Sequence, residues 1–156
     1  MTRHMMLIAA LLASVCFTTS SAQAQTVAPG PQVMPHDLAQ QVFDRAVDIL
    51  KTTVDRCLYN NRETTAEAVR VIDFLVSNGH DDLAEIVARY FVNEIKDFSD
   101  ACAGYATTSC RRAIEKLRML GATQLARELR ELCIRALAAI DQSEENSIRR
   151  IRAALP

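Results

Sequence analysis

Tryptophan is absent from these 156 residues, and aromatic side chains make up only 5% of them. The chain has four glycines and three histidines. Four glycines leave little room for a Gly-rich phosphate loop, and no G-x-S-x-G or H-E-x-x-H pattern occurs. No C-x-x-C is present, which removes the usual redox motif. The closest cysteines left after the N-terminal segment, Cys102 and Cys110, are too far apart in sequence for a typical zinc pair. No alternating apolar run is long enough for a strand, so β-structure is expected to be near zero. Basic clusters lack interleaved aromatics, which argues against nucleic acid. No cofactor and no metal is expected, and the chain reads as a non-enzyme.

What is present begins with an N-terminal segment. Arg3 and His4 precede the apolar run Met5 to Phe17, and Ala22-Gln23-Ala24 places small residues before Gln25. That is the pattern of a secretory signal peptide over 1–24. Residues 25–35 form a Pro-rich linker holding three of the four prolines. A single helical domain is expected over 36–156. The protein is therefore expected to be exported, either periplasmic or secreted.

An internal correspondence organises the rest. Asp37-Leu38-Ala39-x-x-Val42 recurs as Asp82-Leu83-Ala84-x-x-Val87, 45 residues on. The register continues through Lys51 and Lys96, Asp55 and Asp100, and Cys57 and Cys102. Tyr59 and Tyr105 follow, and then Thr64-Thr65 and Thr107-Thr108. Gly79 corresponds to Gly121, after which Leu125-Ala126 starts a third copy. Each unit reads as long helix, polar turn, shorter helix, glycine turn. Asp37, Asp81 or Asp82 and the Thr-Thr pairs are candidate N-caps, and both glycines are candidate helix terminators. The expected fold is all-α: two and a half copies of a helical hairpin of 42–45 residues, about five or six helices, forming a disulfide-stapled bundle or short α-solenoid. The unit has the length of HEAT-like α-repeats, an analogy of period that carries no function. Residues 142–155 read either as a separate helix or as a continuation of the preceding one.

Once Cys16 leaves with the signal peptide, Cys57, Cys102, Cys110 and Cys133 remain, an even number suited to disulfides in an exported chain. Cys110 and Cys133 lie symmetrically about Gly121-Ala122, so they are expected to pair across a hairpin. Cys57 and Cys102 hold equivalent repeat positions and are expected to form the second bond. The rival pairing is Cys102–Cys110 with Cys57–Cys133.

Charge is uneven. Residues 36–105 carry 13 acidic and 7 basic side chains, whereas 106–156 carry 6 acidic and 10 basic. Arg111, Arg112, Arg149, Arg150 and Arg152 are the candidate partner surface. Ile148, Ile151 and Leu155 give the C-terminal basic segment an apolar stripe that suits packing, a protein partner or an anionic membrane. His36 and His80 read as helix-start residues. Asp55 and Asp100 read as surface carboxylates, or as an acid pair if packing joins them. The expected function is a non-catalytic interaction or structural module of the cell envelope with an unknown protein partner. The alternatives are a carrier of an apolar small ligand and, behind it, an enzyme of unrecognised type.

Overall fold

The computed structural model describes residues 35–156, so the signal-peptide and linker readings lie outside the described residues, apart from Pro35. Three helices follow one another: α1 (Pro35–Ser77), α2 (Asp81–Met119) and α3 (Thr123–Ala153). No strand occurs among the described residues. Every pair of helices is in contact, and short turns reverse the chain between them. The result is an up-down-up three-helix bundle. At about 1.5 Å per residue, the 43 residues of α1 extend roughly 65 Å.

Five or six helices were expected, and three are found. The supposed turns at Thr64-Thr65 and Thr107-Thr108 lie inside α1 and α2. The polar residues there do not break the helix because some of them face inward. Cys57, Asn61, Thr65, Ala68 and Ile72 are all buried and step by three or four, which makes one uninterrupted stripe. Cys102, Ala106 and Cys110 do the same on α2, and Leu117 continues the stripe two turns on. Thr65 is no cap: its hydroxyl donates back to the Asn61 carbonyl within the helix. The expected hairpin units are therefore not found: each stretch between the glycine turns is one long helix. Residues 142–155 likewise continue α3 as far as Ala153 rather than forming a new helix.

The two glycine turns are built alike. Gly79 and Gly121 adopt φ of 73° and 74°, a region that costs other residues their Cβ clearance. The His80 N–H donates to the Leu75 carbonyl at 2.9 Å, and the Gly79 N–H donates to Val76 at 3.0 Å. The Ala122 N–H donates to Leu117 at 2.9 Å, and the Gly121 N–H donates to Arg118 at 3.0 Å. Both pairs satisfy the carbonyls left open at a helix end in the Schellman pattern. The expected Asp81 or Asp82 cap is not formed. His80 holds the N-cap position of α2 without a side-chain bond, and both aspartates lie in the first turn, where the helix dipole favours negative charge.

The core has three zones. Leu50, Leu117 and Leu129 fill the end near Gly121. Ile72, Ile95 and Ile151 fill the end near Gly79. Cys57, Cys102 and Ile140 occupy the middle. Alanines at 39, 46, 68, 84, 88, 106 and 126 are buried, and their small side chains let the helices approach closely. A single ion pair, Arg62 with Glu63 at 3.5 Å, is found among the described residues and is exposed. Pairs of that kind contribute little, so apolar packing and the disulfide hold the bundle together.

Candidate functional site

The cysteines behave differently in the two places. Cys110 and Cys133 are bonded, with Cα atoms 6.3 Å apart, at facing positions of the α2–α3 hairpin. Hairpin symmetry about Gly121 predicted this bond. The expected Cys57–Cys102 bond is not formed, and both residues are buried free thiols. They do come together: both belong to the buried cluster at the middle of the bundle. They meet because each lies near the midpoint of its own helix in an antiparallel pair. Shared position alone would have put residues nearer one helix end at opposite ends of the bundle. Burial pushes the Cys57 thiol up from 9.0 to about 12, and contact with Cys102 adds to the rise. A thiol held protonated is a poor nucleophile toward disulfides.

Beside these thiols lies a polar layer that the turn reading concealed. Asn61 is fully buried, and its amide donates to Ser99 Oγ at 3.0 Å on α2 and to Ser143 Oγ at 3.3 Å on α3. A longer contact of 3.9 Å reaches Cys57 Sγ. One side chain thus links all three helices. Its Oδ1 has no partner, an arrangement that costs stability. The available signal was position: Asn61 lies one turn after Cys57 on the buried stripe. Nearby, Glu144 on α3 titrates above its ordinary range because burial disfavours its charge and Asp100 repels it.

The remaining candidate residues are dispersed. Asp55 lines a groove between α1 and α3 with Lys51 and Arg135, while Asp100 sits near Glu144. Tyr59 and Tyr105 both lie mid-helix and face solvent. His36 and His80 are exposed residues at helix starts. Arg111 and Arg112 lie on α2 near the Gly121 turn, whereas Arg149, Arg150 and Arg152 are at the far end of α3. These arginines therefore do not form one surface. The apolar stripe of the C-terminal segment is spent on packing, because Ile151 is fully buried against the α1 and α2 residues near Gly79. No group of three or more metal-ligating side chains occurs among the described residues.

A long concave feature runs along the seam between α1 and α2 and is lined by residues of those two helices. Two adjoining grooves of about 570 and 850 Å³ share Arg45, Ile49 and Tyr105. Ile49, Phe98 and Tyr105 supply apolar surface, and Arg45, Arg56, Arg112 and Lys116 outweigh Asp48 in charge. Following the same helical steps toward the Gly79 end leads to Tyr59 and Phe74 on α1 and to Tyr90 and Leu83 on α2, all exposed. In comparisons with known proteins, no family model matches this chain, and no curated protein or solved structure shows significant similarity to it.

Proposed function

We propose that this chain is an exported, non-catalytic interaction module that docks a protein partner on its α1–α2 face. The observation that carries the proposal is the aromatic exposure of that face. Tyr59, Phe74, Tyr90 and Tyr105 leave about 60% or more of their surface in water (60, 66, 59 and 59%). They lie on one side of two paired helices, and large apolar patches of this kind on a soluble surface mark contact sites. Export is supported by the composition of residues 1–24 and by the Cys110–Cys133 bond, since disulfides persist in oxidising compartments. None of the described helices is long and apolar enough to cross a membrane. An apolar-ligand carrier has less support, because the spaces between helices are filled by Ile72, Ile95, Leu117, Leu129 and Ile140, each fully buried. What the fold offers is a surface.

A photo-reactive phenylalanine analogue introduced at Tyr105, in the chain expressed in an exporting host, tests the proposal. A control at Ile134, exposed on α3, measures background. Adducts concentrated at 105 are expected. Equal yields at the two positions contradict a docking role for this face.

A further inference from the structure

The charge on the α1–α2 face changes sign along its length. Arg45, Arg112 and Lys116 border the grooves toward the Gly121 end, against one acid, Asp48, and Arg56 lies at the middle of the face. Continued toward the Gly79 end by steps of three and four, the same stripes present Glu63 and Glu67 on α1 and Glu94 on α2, all exposed, against two bases, Arg70 and the Arg62 that lies over Tyr59 and pairs with Glu63. Phe74 stands at the acidic end and Leu38 at the basic end, both exposed. Tyr105 and Tyr59 lie between them, near the level at which Cys57 meets Cys102.

We infer that the partner of this face is a second copy of the same chain, docked antiparallel about a two-fold axis that passes near Tyr105. The inference rests on the docking role proposed above and names its occupant. A two-fold axis through the middle of the face lays the basic half of each copy on the acidic half of the other. It also brings Phe74 of one copy toward Leu38 of its partner and sets the central tyrosines against each other. Self-complementarity of this kind is what an isologous contact requires. An anionic membrane or acyl ligand would be drawn to the basic half and repelled by Glu63, Glu67 and Glu94. An unrelated partner gives no reason for the pattern to invert about its own centre. The area suffices: from Leu38 to Phe74 the face is roughly 55 Å long and about 20 Å wide, more than the roughly 800 Å² per partner of a standard interface.

Sedimentation velocity of the full chain across the micromolar range tests this, with two double variants at exposed positions. Arg45→Glu with Arg112→Glu makes both halves acidic. Glu63→Arg with Glu67→Arg makes both halves basic. The wild-type chain is expected to dimerise, and each variant to self-associate at least about 10-fold more weakly at low salt. An equimolar mixture of the two variants is expected to recover association as a heterodimer, because all four half-faces then meet opposites. A monomer throughout, or a mixture that associates no better than either variant alone, overturns the inference. In that event, Tyr105 cross-links to a different protein preserve the docking proposal, and the absence of face-specific adducts removes both.

Discussion

Asn61 offers the sharpest test of how this bundle is held in register. Its side chain is fully buried, with two good donor contacts to Ser99 and Ser143 and an unpartnered Oδ1. Replacement by aspartate changes one atom and little volume. The two serine hydroxyls can turn to donate, but none of the groups bonded to Asn61 is cationic. An uncompensated buried charge costs about 3–5 kcal/mol, so Asn61→Asp should lose about 3 kcal/mol at neutral pH. Burial raises the folded pKa of the new carboxyl above its unfolded value of about 3.9. Its stability contribution is therefore intact below that value and is lost as pH rises through the folded pKa. The penalty should thus be small near pH 4 and grow toward neutrality. Asn61→Leu is the counterpart. It gives up two hydrogen bonds, about 2 kcal/mol, and removes the unpaired Oδ1, a relief of about 1–3 kcal/mol. The net change should stay within about 1 kcal/mol at every pH. Urea denaturation followed by helical circular dichroism, with m-values compared, reads both variants. A pH-independent loss for aspartate, or a leucine variant as damaged as the aspartate one, would refute the buried three-helix link.

Further outcomes follow from the same structure. Replacing Cys110 and Cys133 together by alanine should cost roughly 3 kcal/mol by loop entropy for a 23-residue separation, read as a lower urea midpoint. Counting alkylated thiols by mass should give none in the native chain, Cys57 and Cys102 in denaturant alone, and all four cysteines of the bundle after reduction; no labelling before reduction would show the second bond that repeat position suggested. Because the Cys57 pKa is raised to about 12, its contribution is complete below the unfolded value of about 9, and stability should fall as pH climbs between the two. Gly121→Ala should destabilise by about 1 kcal/mol through its left-handed backbone. By contrast, Gly104→Ala, inside α2 with open space around the new methyl, should stabilise by up to about 1 kcal/mol, which thermal melts of the two variants will show.

Much of the frame was legible in the residues. Apolar positions spaced by three and four predicted helices, and Gly79 and Gly121 marked the two reversals that occur. Symmetry about Gly121 found the partner of Cys110. The misreading came from polarity. Asn60-Asn61-Arg62 and Thr64-Thr65 look like a turn because polar residues usually face water, yet Asn61 and Thr65 face the core and satisfy themselves there. The arginines misled in another way. Arg112 and Arg152 belong to opposite ends of the bundle, a separation that helix direction decides and residue counting does not.

The sequence by itself determined that the chain would be helical, where it would reverse, and which cysteines could meet. These depend on periodicity, on the φ freedom of glycine and on symmetry about a turn, all local or nearly local properties. Tertiary structure alone decided that each helix runs unbroken past its polar centre, because partners on two other helices must supply the bonds and the apolar cover there. It also decided the α1–α2 face. Glu63, Arg45, Tyr105 and Phe74 are distant in sequence, and only the antiparallel register of two long helices makes them one surface whose charge inverts about its middle.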